Sequence, residues 1–264
     1  MSSGPARIMG IVNVTPDSFS DGNQFLSHEQ AIAHGRALSE VGADIVDVGG
    51  ESTRPGSIVI SAEEEIRRAI PVVRALAKDG IPVSIDTSKP AVMEAAVNEG
   101  ACLINDVYAL RQPGALKMAA RLNVPVCLMH MQGTPGNMQD APSYRDVVDD
   151  VRSSLGETVS ALEDLGVAPN KIIGDPGIGF GKTLEHNLSL LSSGRDVIPD
   201  DRMSLMWGVS RKSMFAHLLG RESTDDRLAG TLGVAAKAKE MGVDIIRVHD
   251  VAEHADLFAA MGAL

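Results

Sequence analysis

The 264 residues predict a single (β/α)₈ barrel domain spanning positions 1–264. Three observations carry that prediction. Eight short apolar, β-rich runs alternate with helical patterns at intervals of about 34 residues, as a barrel of this length requires. The runs are near-continuously apolar, as strands covered on both faces must be. Each run ends in polar side chains, whereas a doubly wound open sheet would gather them at one switch point, and no G-x-G-x-x-G follows the first run.

Taken in order, the first strand is Ile8 to Val14, followed by a loop rich in turn formers from Asn13 to Gly22. Ser27 with Gln30 predicts a capping box and a helix reaching about Val41. The second strand, Asp44 to Val48, leads into Gly49-Gly50-Glu51-Ser52-Thr53-Arg54-Pro55-Gly56. Ser61 with Glu64 predicts a second capping box, ahead of Ile66, Ile70, Val73 and Ala77 at helical spacing. Pro82 to Ile85 stops at Asp86, Ala101 to Ile104 stops at Asn105-Asp106, and Pro125 to Met129 stops at His130. A long helix from about Tyr144 to Leu165 carries the stripe Val147, Val151, Leu155, Val159 and Leu162. Lys171 to Asp175 is the sixth strand, and Leu205 to Val209 the seventh, ending in Ser210-Arg211-Lys212. The eighth runs from Ile245 into Arg247-Val248-His249-Asp250, where Asp250 and Glu253 signal the start of a final short helix.

A net charge of -11 argues against nucleic acid, an anionic membrane surface or a broad polyanion as partner. No apolar run is long enough to span a bilayer, and no signal-like start is present. Cys102 and Cys127 each sit in an apolar strand-like run, which reads as two buried thiols in a reducing compartment, the cytoplasm.

In a barrel the C-terminal strand ends form one ring. Here that ring holds Asn13, Asp47, Asp86, Asn105, His130, Asp175, Ser210 with Lys212, and Arg247 with His249. Arg247 and His249 lie two apart on one strand and so share a face. A buried guanidinium needs an anionic partner, either a ligand such as phosphate or a structural ion pair with a neighbouring carboxylate. Asp86, Asn105 and Asp175 suit a planar heterocycle with amino and amide edges. Asp86 and Asn105 could equally begin turns and cap the helices that follow, and Asp47 could be a buried residue bonded to loop amides. His130 reads as a packed, hydrogen-bonded histidine more readily than as a metal ligand, since no H-x-H or H-E-x-x-H pair exists. Lys212 is expected to open a helix directly after the seventh strand, where backbone N–H groups favour an anion. The Gly177 to Lys182 loop lacks the Walker spacing, which excludes nucleotide hydrolysis.

Asn13-Val14-Thr15-Pro16-Asp17-Ser18-Phe19-Ser20-Asp21, the Gly49 to Gly56 loop, Ile85-Asp86-Thr87, Ile104-Asn105-Asp106-Val107, Leu128-Met129-His130-Met131-Gln132-Gly133-Thr134, Asp175 to Lys182, Ser210-Arg211-Lys212-Ser213 and Arg247 to Asp250 together resemble the dihydropteroate synthase family. The resemblance covers nearly the whole chain, in order and on the expected strands. Asn23 departs from it, standing where the family usually has a second glycine, and the sixth helix with its loop looks short. The resemblance implies condensation of 6-hydroxymethyl-7,8-dihydropterin pyrophosphate with p-aminobenzoate, giving 7,8-dihydropteroate and pyrophosphate through a pterin methylene cation. It implies a pterin set of Asp86, Asn105, Asp175, Lys212, Met129 and Phe180. A pyrophosphate set of Asn13, Arg54, Arg247 and His249 would work with Mg²⁺ held at Asn13. A p-aminobenzoate set of Phe19, Thr53, Pro55, Phe180 and Ser210 would place the carboxylate near the helix start. Asp86, Lys212, Arg247 and His249 would carry catalysis. A homodimer through the late helices is further implied, and the uninterrupted second loop implies sulfonamide sensitivity.

A methyltetrahydrofolate-dependent corrinoid methyltransferase, the nearest rival, needs no diphosphate site. A silent pterin-binding homologue would lack one or more strand-end residues, and none is missing.

Overall fold

The computed structural model of the chain describes residues 5–15, 24–52 and 58–263. Eight parallel strands close into a barrel in sequence order: β1 (Arg7–Asn13), β2 (Ile45–Gly49), β3 (Val83–Asp86), β4 (Leu103–Asp106), β5 (Val126–Met129), β6 (Ile172–Asp175), β7 (Ser204–Trp207) and β8 (Ile245–Val248), with β8 back against β1. Around it lie α1 (Gln24–Glu40), α2 (Ala62–Lys78), α3 (Pro90–Asn98), α4 (Ala115–Leu122), α5 (Val147–Asp164), α6 (Leu184–Ser193), α7 (Met214–Leu219), α8 (Leu228–Ala235) and α9 (Val251–Gly262). Two of these helices, α7 and α8, fill the β7–β8 crossover. No helix among the described residues is long and apolar enough to cross a membrane.

Strand alternation sorts the side chains into two cores. Met9, Ile45, Leu103, Cys127, Ile173, Met206 and Ile245 form one buried cluster. Their strand neighbours Val46, Ile104, Val126, Ile172, Leu205 and Ile246 pack instead with helix residues such as Leu76, Met93 and Leu155. The first cluster is therefore the barrel interior, and counting two residues on from it gives Ile11, Asp47, Asn105, Met129, Asp175, Gly208 and Arg247. Alternation alone thus stacks polar groups directly above an apolar plug.

Several local expectations are revised. Helix α1 begins at Gln24, so Ser27 lies inside it and cannot be its N-cap. Ser61 does cap α2, accepting from the Glu64 amide. The Glu64 carboxylate completes no box, because Arg67 and Arg68 take it. The α5 stripe is buried as expected, and the helix starts at Val147 because Asp146 caps it through the amides of Val148 and Asp149. Asp250 stands at the N-cap position of α9 without a side-chain cap bond; its carboxylate is taken by Arg211 instead. Asp86 and the Asn105-Asp106 pair fall inside β3 and β4 rather than just beyond them. Cys127 is buried but Cys102 is exposed, since it stands just before β4, at the N-terminal rim of the barrel.

Candidate active site

One cavity of about 1310 Å³ opens over the C-terminal strand ends. Asn13, Asp86, Asn105, Met129, Asp175, Phe180, Ser210, Lys212, Arg247 and His249 all line it. The expected positions Phe19, Thr53, Arg54 and Pro55 lie outside the described residues.

The cavity floor is a charged network. Arg247 donates through Nε to Asp47 Oδ2 at 2.6 Å and through Nη2 to Asp86 Oδ2 at 2.8 Å. Asn105 Nδ2 donates to the same Asp47 oxygen at 3.0 Å. The two sequence readings of Arg247 therefore coexist: it is ion-paired in the protein and it faces the cavity. Asp47 is fully buried and bonds side chains, not loop amides. Neither Asp86 nor Asn105 caps a helix, and the N-cap of α3 is Lys89. Burial raises the Asp86 pKa, Arg247 opposes it, and the nearby carboxylates Asp47, Glu65 and Asp106 reinforce it. Burial works against the Arg247 charge, but Asp47 and Asp86 outweigh it and leave the guanidinium firmly protonated.

Across the cavity stands Asp175, whose Oδ1 accepts from the Gly177 amide at 2.7 Å. Its pKa is raised by burial against that bond and against Lys212, Lys182 and Arg247. Lys212 places its ammonium 4.1 Å from the centre of the Phe180 ring, a cation–π contact. Burial lowers the Lys212 pKa to about 8, although Asp175 pulls it up. The residue does not open a helix: α7 starts at Met214 and has only 6 residues, so neither Lys212 nor an aminobenzoate carboxylate gains a long helix start. Arg211 interrupts the expected entry because it sits at φ 53, with Asp250 and Asp225 holding its side chain. Ser210 Oγ accepts from the His249 amide at 3.1 Å and lies 2.9 Å from His249 Nδ1, so the ends of β7 and β8 are tied together.

Two groups escaped sequence reasoning. Lys89 bridges Glu51 and Glu65 at 2.5 Å and 2.6 Å, and Glu51 also accepts from the Ile60 amide, which links both ends of the β2–α2 loop. Lys182 is buried in the cavity wall beside His130. Its sequence signal was a lone lysine behind three glycines after a strand ending in Asp175, a pattern that reads only as a failed nucleotide loop.

His130 is a packed histidine, as expected. Burial pushes its pKa down to about 3, with repulsion from Lys182 and Arg111 adding to the effect. The unfolded chain takes up this proton near its ordinary value of about 6.5, so the residue's contribution to stability is lost as pH falls from there toward 3. His130→Gln is therefore expected to flatten the acid-side fall in Tm. An unchanged slope in a melting series across that range would refute it.

Among the described residues no three His, Cys, Asp or Glu side chains gather into a metal site. Asn13 brings one hard oxygen donor to the cavity. That suits a hard cation such as Mg²⁺, which would draw its other ligands from substrate phosphates and water.

A family model described as "Pterin binding enzyme" matches residues 9–249. The dihydropteroate synthase of Escherichia coli (strain K12) is 48% identical over 248 residues, covering 94% of this chain and 87% of that protein. The Xanthomonas albilineans dihydropteroate synthase solved with 4-aminobenzoic acid superposes with a TM-score of 0.90 at 47% identity, covering 98% of this chain and 93% of that one. The Yersinia pestis dihydropteroate synthase solved with a sulfonamide drug gives 0.91 at 43% identity, covering 98% and 94%.

Proposed function

Because the chain belongs to the pterin-binding enzyme family, and within it to the dihydropteroate synthases, we propose that its cavity divides the pterin diphosphate substrate between an acid-and-amide half for the ring and a cationic half for the diphosphate. It is a transferase of folate biosynthesis and a sulfonamide target. The observation that carries the division is that Asp175 and Arg247 line one cavity, in which Arg247, Asp47, Asp86 and Asn105 form a single hydrogen-bonded network.

The pterin of 6-hydroxymethyl-7,8-dihydropterin pyrophosphate lies against Asp175, Asn105 and Lys212, with Met129 and Phe180 as apolar walls. Asp175 accepts from the amino-pyrimidinone edge and Lys212 donates to ring acceptors. Arg247, His249 and Asn13 take the diphosphate, joined by Arg54 from the second loop. Bound Mg²⁺, held at Asn13, would neutralise charge on the departing diphosphate. Arg247 draws that leaving anion away from the pterin. Asp86 faces the methylene carbon that turns positive as the bond breaks, so the reaction runs in a dissociative sense. Release of the diphosphate would loosen Arg247's hold on the anion while Asp47 and Asp86 keep the guanidinium paired and in place. The amine of p-aminobenzoate then attacks the carbon and loses its proton, with the ring held by Phe19, Thr53, Pro55, Phe180 and Ser210. Water is excluded because it would capture the same cation.

A homodimer through the late helices fits the exposed Leu218 and Leu219 of α7 and Met261 of α9. A reducing cytoplasm suits the two thiols. The test is pyrophosphate release that requires both p-aminobenzoate and Mg²⁺, with a sulfonamide raising the KM of p-aminobenzoate and leaving kcat alone. Release that ignores either requirement, or a sulfonamide that acts only on kcat, removes this reading. A corrinoid methyltransferase would release no pyrophosphate at all.

A further inference from the structure

Lys182 is a buried cation to which the reaction above gives no role. It is 4% exposed, and its ammonium has three acceptors: Phe180 O at 2.9 Å, His130 Nδ1 at 3.1 Å and His130 O at 3.4 Å. Three donors meet three acceptors, and no carboxylate lies within ion-pair distance among the described residues. A buried ammonium satisfied only by neutral groups is costly and is retained where its charge or its fixed geometry has a use.

Its surroundings indicate both uses. The loop after β6 lies backbone-to-backbone against the loop after β5. A Cβ on Gly177, at φ 69, would fall 1.9 Å from His130 O. Tyr144 Oη donates to Gly181 O at 2.7 Å from the far side. Lys182 is the tie across this seam, and Phe180, whose carbonyl it holds, carries the ring beneath Lys212. The charged and titratable groups that face it are His130 from the end of β5, Asp175 from β6, Lys212 from beyond β7 and Tyr144 from the approach to α5; Arg111 faces His130 from the other side.

We propose that Lys182 is a positioning residue of the pterin pocket, which fixes the Gly177–Lys182 wall against the β5 loop and, beside Lys212, supplies a second cation toward Asp175. The proposal rests on the assignment of Asp175 and Lys212 to the pterin ring. Lys182 favours the charged form of Asp175, and burial brings its own pKa down to about 7, with repulsion from Lys212 adding to the fall.

The test compares Lys182→Met, which removes charge and donors, with Lys182→Gln, which keeps donors without charge. Melting curves for both establish that they fold. Both variants are expected to lose about tenfold in kcat/KM for the pterin diphosphate, the scale of a lost charge-assisted hydrogen bond. Removing the cation raises the pKa of Asp175, so the acid limb of the kcat/KM profile moves to higher pH, while the alkaline limb, reached after Lys182 has lost its proton, stays in place. Ionisation of the substrate is common to all the proteins and drops out of the comparison. An acid limb that stays in place in folded variants overturns the proposal, whatever the loss in rate. Asp175→Asn serves as the control: if it binds the pterin diphosphate as wild type does, the pterin assignment fails and this inference fails with it. If only Lys182 proves indifferent, the assignment stands and the inference alone falls.

Discussion

Arg247→Ala is expected to lower kcat/KM by about a hundredfold or more, on the scale of a lost transition-state contact to developing charge. The guanidinium is assigned to the departing diphosphate, and it is already oriented before substrate arrives by Asp47 and Asp86. The same substitution is expected to cost about 3–5 kcal/mol of stability, because it strands a fully buried carboxylate, Asp47, with only the Asn105 amide as a donor. A second substitution separates the two effects. Adding Asp47→Asn removes the orphaned charge and should recover stability without recovering rate. The checks are chemical denaturation and pyrophosphate release on the same three proteins. A single Arg247→Ala variant with near-normal turnover would falsify the assignment of the leaving group to this side of the cavity.

Lys212→Ala should cost a similar factor of about a hundred, because it deletes a hydrogen-bond donor to the pterin and the cation above Phe180 at once. Here pH supplies the sharper signature. Burial holds the Lys212 pKa at about 8, and it is the ammonium that donates. Affinity for the pterin diphosphate should therefore be present below that value and be lost as pH rises through it. Lys212→Arg keeps a cation whose pKa lies beyond the accessible range, so the alkaline fall should vanish even if the rate is reduced. A wild-type profile that stays flat to pH 9 would contradict the assignment. Asp86→Ala belongs to the same class of loss, since it removes the carboxylate facing the developing positive charge.

The legible parts of this protein were the local ones. Alternating apolar runs announce eight strands because a strand covered on both faces has to be apolar throughout. The position of Asp175, Asn105 or Arg247 at a strand end is likewise a local fact, and parity fixes which side of the barrel each one faces. Cap signals were less dependable. Asp250 and Glu64 have the composition of caps, but arginines compete for their carboxylates and win: Arg211, brought near by the fold, takes Asp250, and Arg67 and Arg68, one turn along the same helix, take Glu64. Lys212 was misread for a related reason: a left-handed residue at Arg211 delays the helix, and that turn depends on partners at Asp225 and Asp250.

What the sequence by itself determined is the barrel, the ring of polar strand ends and, through the resemblance of eight separate motifs, the family and its reaction. What only the tertiary structure decided is who partners whom across that ring. Arg247 meets Asp47 and Asp86 across 200 and 161 positions of chain. Lys182 finds two of its three acceptors on His130, 52 residues earlier. Side-chain periodicity is written within a few residues, whereas such pairings exist only once closure of the barrel has set the register between distant strands, and no local pattern encodes that distance.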